Sequence, residues 1–198
     1  NAAGDVVAEL TASNAQIGWQ VHLANRKSDW FHFITAMDIP ESADLVVTRR
    51  NPDISSHERE QLIIDPGPRR ISGADCKGPS YAFNSGKFKA TNVYLGELQT
   101  DAQGRLLVLG GYGKSESPSG KPPFDRANPD SFNNAADWYD DIADGPVQAT
   151  VTLDGKDIPV ESAWVITAPP GYAPDRVSWR TMNDLLSDVY TQNGWLPV

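Results

Sequence analysis

The order of apolar and polar residues in the first part of the chain predicts β-strands. In IGWQVHLAN, residues 17–25, the side chains of Ile17, Trp19 and Val21 recur at every second position and share one face of a strand. The stretch DVVAEL, residues 5–10, predicts another strand before it. We therefore expect two successive strands in this region.

Two further pairs of segments predict β-hairpins. VYLGELQ and RLLVLGG flank the loop TDAQG, where Gly104 can adopt a left-handed turn conformation. VQATVTL and IPVESAWVITA flank Asp154-Gly155, a dipeptide that favours a type I′ turn between paired strands. Both pairs predict antiparallel strands.

Helical patterns are fewer. The stretch SWRTMNDLLSDVYTQNG predicts a C-terminal amphipathic helix that ends at Gly194. Its apolar side chains form one stripe, which we expect to face the core: Trp179, Met182, Leu185, Leu186 and Val189. Ser55 and Glu58 have capping-box spacing before a short helix through HEREQ. RKSDWFHFITAMD is compatible with either a helix or a buried loop.

These patterns predict a mainly β (α+β) fold, an antiparallel sheet or sandwich with hairpins and long irregular loops. We expect residues 1–198 to form a single β-rich domain that contains a long acidic loop at residues 114–146. Six aspartates lie between Asp125 and Asp144, with only Arg126 opposing them. Long loops within compact domains are usually functional or docked on another surface.

Composition narrows the function classes. A formal net charge of −9 argues against binding a nucleic-acid backbone. No apolar run is long enough for a membrane span, and the first residues do not resemble a signal peptide, so we expect a soluble protein whose compartment stays open, secretion included. Because residue 1 is Asn and not Met, we expect a processed, truncated or fragmentary chain.

A Gly-Lys-Ser sequence at residues 113–115 raises the possibility of a phosphate-binding loop. The motif also needs a glycine five positions before Gly113, where this chain has Val108. A helix must follow the motif, but prolines at 118, 122 and 123 oppose one. We therefore interpret the stretch as a glycine-rich strand end that enters the long loop.

Other candidate chemistry is sparse. His22, His32 and His57 are scattered, and the single cysteine, Cys76, allows neither an internal disulfide nor a multi-cysteine metal site. The aspartates of the long loop lack the spacing of a calcium-binding loop. We assign no catalytic, cofactor-binding or metal-binding residue within this chain.

An aromatic pair in the acidic loop is the best candidate for a contact with a ligand or a partner. Trp138 and Tyr139 lie beside Asp140 and Asp141 in an otherwise polar segment. Tyr and Trp are enriched at binding surfaces because one end of the ring system is apolar and the other polar. These four residues are our candidates for a substrate channel or an interface.

Five stretches, read in order, resemble one known family. They are AELTASNAQIGWQVHLANRKSDWFHF, LIIDPGPRRISG, VYLGELQTDAQGRLLVLGGYGKSESPSG, NNAADWYDDIADGPVQATVTLDG and AWVITAPPGYAP. Together they resemble the N-terminal half of the L-lysine 6-oxidase and glycine oxidase quinoproteins. The resemblance runs from Glu9 to about Leu196.

The resemblance implies a function for the larger protein. Members of this family oxidise amino groups of amino acids with O₂ and release ammonia and hydrogen peroxide. Their cofactor is cysteine tryptophylquinone, formed from a Cys and a Trp of the C-terminal half, and a flavoprotein matures it. The resemblance therefore places the cofactor outside this segment, and we transfer no cofactor role to Cys76.

Two hypotheses follow. In the first, the chain is the scaffold part of such an oxidase and its long loop helps to wall the substrate entrance, with the remaining C-terminal half, or another chain of the oxidase, as its partner. We then also expect a homo-oligomer, exposed apolar surface, and no nucleic-acid or membrane partner. In the second, the chain is a stand-alone, non-catalytic β domain that binds a protein.

Overall fold

The centre of the fold is an antiparallel sheet built around one long strand. The structure is a computed structural model that describes residues 5–33, 48–124, 134–169 and 181–196. Strand β1 (Gln16–Val21) pairs with β2 (Arg69–Ser72) along one edge, and the long strand, named β9 below (Ala143–Leu153), pairs with its other edge. The predicted strand at residues 17–25 is thus confirmed in its first part.

The second edge of β9 is shared by two short strands, β10 (Lys156–Ile158) and β11 (Ala163–Thr167). Asp154 and Gly155 connect β9 to β10 with φ angles of 50° and 75°, as a type I′ turn requires, which confirms this hairpin. The single return strand predicted at residues 158–168 is wrong in detail. Pro159 follows β10 and has no N–H to donate to a ladder, and the chain rejoins β9 only at β11.

The other predicted hairpin is also confirmed. Strand β5 (Gly96–Thr100) pairs antiparallel with β6 (Leu106–Gly110), and Gly104 has a φ of 75° in the turn. The Trp19 indole N–H donates to the carbonyl oxygen of Gly104 at 2.9 Å. This bond connects the hairpin to the central sheet.

Two smaller strand pairs complete the described β structure. Strands β3 (Lys87–Phe88) and β4 (Thr91–Asn92) form one pair, and β7 (Ser115–Glu116) and β8 (Tyr139–Asp140) form the other. The second pair joins the two ends of the long acidic loop. The loop therefore contains paired strands that its sequence pattern does not show.

The core lies between the central sheet and the β5–β6 hairpin. Its buried side chains are Val21, Leu23, Leu62, Ile64, Ile71, Phe83, Phe88, Val93, Leu95, Leu98, Tyr139 and Ala143. Antiparallel pairing throughout confirms the expected mainly β class.

The strand predicted at residues 5–10 is wrong. These residues lie outside the strands, with Val6 and Val7 exposed by 90% and 77%. Alternation indicates an apolar face, but a strand also needs a free partner edge, and β2 and β9 occupy both edges of β1.

The C-terminal helix, α1 (Met182–Gln192), begins with a capping box between Thr181 and Asp184. The prediction that its apolar stripe faces the core is wrong for the described residues of that stripe, and Trp179 lies outside them. All four described members are exposed: Met182, Leu185, Leu186 and Val189. An amphipathic pattern shows that a face favours burial, but it does not show what covers that face.

Two remaining predictions are resolved in part. The helix expected through HEREQ is a single 3₁₀ turn, Arg59–Leu62, and the Ser55 hydroxyl donates to the Glu58 carboxylate at 2.7 Å and caps no backbone N–H there. In the ambiguous stretch RKSDWFHFITAMD, Trp30, Phe31 and Phe33 are exposed on turns and a bridge, and Ile34 and Met37 lie outside the described residues.

Candidate interaction surface

Asp137 is the polar centre that holds the ends of the long loop together. Its side chain is buried and accepts hydrogen bonds from Lys89 Nζ, from Ser117 Oγ at 3.0 Å and from the N–H of Ser119 at 3.2 Å. Its own backbone N–H donates to Asn51 Oδ1 at 2.6 Å. These contacts join three distant parts of the chain, around Asn51, Lys89 and Ser117, at Asp137.

The electrostatics of Asp137 follow from these contacts. Burial alone would raise the pKa of this carboxyl, but the hydrogen bonds from Lys89, Ser119 and Ser117 outweigh burial and lower its pKa to about 2. The carboxylate is therefore charged at neutral pH and stabilises the loop as an anion.

The two aromatic candidates lie in different environments. Tyr139 is buried in the core, where its ring packs against Phe88 with centroids 5.3 Å apart and its hydroxyl donates to Glu116 Oε2 at 2.9 Å. Burial, followed by the interaction with Glu116, raises the pKa of Tyr139. Trp138 is partly exposed, and its indole N–H donates to the carbonyl oxygen of Lys121 at 2.9 Å.

The two acidic candidates make contacts within the chain. Asp140 accepts hydrogen bonds from Lys27 Nζ and from Asn25 Nδ2 at 2.9 Å. Asp141 is buried and accepts from the backbone N–H of Lys114 at 2.9 Å. Of the four candidates, only Trp138 and Asp140 therefore keep surface for another molecule, and their role in a channel or interface stays a prediction.

The structure agrees with the rejection of the phosphate-binding loop. Ser115 begins strand β7, where the motif would need a helix, and the Lys114 ammonium pairs with Glu116 at 3.1 Å. Packing explains why position 111, just before the motif, is a glycine: a Cβ there would lie 2.4 Å from Asp141 Oδ2. Close packing of the strand end explains this glycine without a nucleotide.

An apolar groove lies next to Asp140 and was missed by sequence reasoning. We name it the aromatic groove; its walls include Lys27, Trp30, Phe33, Ile142, Asp144 and Ile166, and its volume is about 460 Å³. Trp164 lies at its side, because its indole N–H donates to Asp144 Oδ2 at 2.8 Å. The one signal in the sequence is AWVIT, which has apolar residues at consecutive positions where a half-exposed strand would alternate.

Contacts around Phe33 fix one wall of the groove. The Asn134 side-chain amide donates to the carbonyl oxygen of Phe33 at 3.0 Å and accepts from its N–H at 2.6 Å. The Arg50 guanidinium, largely buried, lies 5.8 Å from the centroid of the Phe33 ring. The long loop, which contains Asn134, therefore positions a residue of the aromatic groove.

The remaining polar candidates make local contacts. His22 lies 2.6 Å from Asp65, and His32 Nδ1 lies 3.1 Å from the Thr48 hydroxyl. In the four described ranges, no cluster of three or more His, Cys, Asp or Glu side chains could hold a metal ion. Likewise, no helix within those ranges is both long and apolar enough to cross a membrane.

Comparison with known proteins decides the family. Residues 1–167 match the family model described as L-lysine epsilon oxidase N-terminal. The chain belongs to this family. It is 36% identical over 202 residues to the L-lysine 6-oxidase of Marinomonas mediterranea, an alignment that covers 89% of this chain and 26% of that enzyme.

Solved structures of the L-lysine epsilon oxidase from the same organism share the fold. One structure of that oxidase superposes with a TM-score of 0.66 at 33% identity, covering 93% of this chain and 29% of the solved chain. The structure of its Schiff base intermediate with L-Lys gives a TM-score of 0.64 at 34% identity over the same shares. The chain thus spans about a quarter of the length of these enzymes and matches their N-terminal part.

Proposed function

We propose that this chain is the N-terminal scaffold of a quinone-dependent amino-acid oxidase. The observation that carries the proposal is the likeness to the L-lysine epsilon oxidase structure over 93% of this chain at 33% identity. At this identity the shared fold reflects a shared family and not the fold alone. The chain would supply structure, while the chemistry would take place in the remainder of the enzyme.

The proposed reaction is an oxidative deamination. The carbon–nitrogen unit of the substrate amine gives up two electrons and two protons, one proton from carbon and one from nitrogen, and O₂ takes them up as hydrogen peroxide. Water then replaces the nitrogen, which leaves as ammonia, and the carbon becomes a carbonyl. L-Lysine is the first substrate to test because the relatives act on it, and glycine is the second.

The proposal puts the quinone cofactor in the remainder of the enzyme, outside this chain. Cys76 Sγ lies 3.1 Å from the carbonyl oxygen of Ser72, and the indole N–H groups of Trp19, Trp138 and Trp164 each donate to a different oxygen of the fold. Cys76 and these three indoles are thus each engaged by hydrogen bonds of the fold. We therefore derive no chemical step through residues of this chain.

The partners follow from the same proposal. We expect a flavoprotein to mature the cofactor and the enzyme to assemble as a homo-oligomer. The long loop, whose ends Asp137 joins, would form part of the wall of the substrate entrance, with the partly exposed Trp138 and Asp140 as its contact groups. The alternative is a stand-alone β domain that binds a protein, and the aromatic groove is compatible with it.

Peptide mapping of the complete protein tests the proposal. The protein is expressed from its complete reading frame, with and without the flavoprotein, and then digested. We expect redox-cycling quinone stain and a cross-linked Cys–Trp peptide outside residues 1–198, only in the sample that had the flavoprotein. A mature protein that carries no such cross-link would overturn the quinone proposal.

A further inference from the structure

Strand β11 has apolar side chains on both faces, although one face is exposed. Val165 packs against the core, while Trp164 and Ile166 point to the other side with 63% and 71% of their surface exposed. In antiparallel sheets with one solvated face, the residues on that face are normally polar. A strand that is apolar on both faces is typical of burial on both faces.

The rest of this sheet face is polar, which makes β11 an exception. Gln20 donates to Gln148 Oε1 at 3.1 Å and accepts from Arg70 Nε at 2.6 Å, forming a row across three strands. At the β11 end of the same face, the register places Trp164 opposite Pro146 and Ile166 opposite Asp144. The apolar area is therefore confined to the β11 end of this face, as expected for a docking site and not for a surface that is apolar throughout.

The aromatic groove extends this area. Trp30 and Phe33, exposed by 57% and 45%, form its opposite wall. The groove is held in shape by the Asn134–Phe33 bonds, by the Lys27–Asp140 pair and by the Trp164–Asp144 bond. A preformed apolar groove with charged groups at its edge suits an apolar segment flanked by polar residues.

We propose that the aromatic groove, with β11, is the docking site for the catalytic remainder of the oxidase. The inference rests on the proposed function and names the surface by which the scaffold acts. The matched relatives have most of their length outside the part that this chain spans, since the chain covers 26% of the curated enzyme and 29% of the solved one. That remainder is therefore the occupant we assign to the groove, because it is long enough to contain a docking segment.

The charges at the edge of the groove define the occupant further. Lys27 is paired with Asp140, and Asp144 is engaged by Trp164, so both charges have partners within this chain. Arg26, which also lines the groove, is largely exposed and lies 3.7 Å from Asp29. The segment that docks should therefore insert aliphatic or aromatic side chains and place an acceptor, such as a carboxylate or carbonyl, near Arg26.

The test compares one substitution in two proteins. Ile166→Thr keeps a β-branched residue in β11 but removes apolar surface that is exposed here. In the isolated chain of residues 1–198 we expect an unchanged unfolding midpoint. In the complete oxidase we expect the midpoint to fall by about 1–2 °C, because the side chain lost there would come from a buried interface of a large protein.

Ile158→Thr in β10 is the matched control. It is the same change in a strand that also pairs with β9, but it lies outside the groove. It should affect the isolated chain and the complete oxidase alike. If Ile166→Thr leaves both midpoints unchanged while the wild-type oxidase produces peroxide from an amino acid, the docking proposal is wrong and the proposed function stands. If the wild-type oxidase oxidises no amino acid, the proposed function is wrong.

A second measurement distinguishes another occupant. The isolated chain and its Trp164→Thr/Ile166→Thr variant are run in sedimentation velocity over a range of concentrations. We expect the same distribution of species for both. A dimer of the isolated chain that the double substitution dissociates would assign the groove to a second copy and overturn the proposal.

Discussion

At the residue scale, the most informative position is Asp137. It is one of the few non-glycine residues with positive φ, at 67°, and its carboxylate joins Lys89, Ser117 and Ser119. In the sequence, Asp137 is one of six aspartates in an acidic loop, and this pattern predicts a solvated charge. The burial could not be predicted, because the partners lie up to 86 residues away in the chain, as Asn51 does.

Asp137 makes folding sensitive to acid. Because its pKa is lowered from 3.8 to about 2 in the folded state, the unfolded chain binds its proton first as the pH falls. The contribution, about 2 kcal/mol, is complete above pH ~4 and is lost between pH ~4 and ~2. Asn tolerates positive φ, so Asp137→Asn should lower the free energy of unfolding at pH 7 and flatten its decrease in acid.

Chemical denaturation at pH 7, 4 and 3 measures this effect. Asp75→Asn is the matched control, because Asp75 is exposed and also has positive φ, at 52°. It should change the free energy of unfolding much less than Asp137→Asn does at pH 7, because its side chain is exposed. An Asp137→Asn variant as acid-sensitive as the wild type would show that the carboxylate does not carry this stability.

At the element scale, the sequence predicted the elements whose geometry is set by a few neighbouring residues. The two hairpins were predicted because Asp154-Gly155 and Gly104 each favour one turn geometry by themselves. The prediction of a strand at residues 5–10 was wrong because a strand can pair only with a free sheet edge, which the local sequence does not show. The pairing of β7 with β8 was missed because two residues per strand are too few for a periodic pattern.

The turn between β9 and β10 should tolerate only residues that accept positive φ. Gly155→Val places a β-branched residue at φ 75° and should lower the free energy of unfolding by about 1–2 kcal/mol. Gly155→Asn, which accepts this conformation, is the control and should lose much less. Urea denaturation measures both variants, and equal stabilities would contradict the assigned turn.

The cap of α1 offers a second test at this scale. Thr181→Ala removes the side chain that accepts the Asp184 N–H, at 3.2 Å, and should destabilise the helix start by about 1 kcal/mol. Amide hydrogen exchange of residues 185–192 should then be about five-fold faster. Thr181→Ser keeps the hydroxyl and should exchange like the wild type, so a rate equal to that of Thr181→Ala would contradict the capping role.

At the scale of the whole molecule, the family was predictable and the aromatic groove was not. Five ordered stretches spread over the chain carry the family resemblance, and the comparisons confirm it. The groove joins Trp30 and Phe33 to Ile142 and Ile166, residues more than 100 positions apart that only the central sheet and the long loop bring together. The sequence has a local signal for one wall only, the consecutive apolar residues of AWVIT in β11.

The exposed apolar surfaces also make sense at this scale. The stripe of α1 and the face of β11 are both apolar and uncovered among the described residues, and the chain spans only about a quarter of its relatives. Both surfaces are expected if a scaffold normally packs against a larger catalytic part. They would be unexpected in a domain that packs against no other chain.

The most direct test of the central claim is the reaction itself. The protein is expressed from its complete reading frame together with the proposed maturation flavoprotein and mixed with L-lysine or glycine, and hydrogen peroxide and ammonia are measured together. We predict equal amounts of peroxide and ammonia from one of these amino acids, with O₂ consumed in the same amount. A matured protein that consumes no O₂ and forms no peroxide with any amino acid would contradict the assignment of this chain to a working amino-acid oxidase.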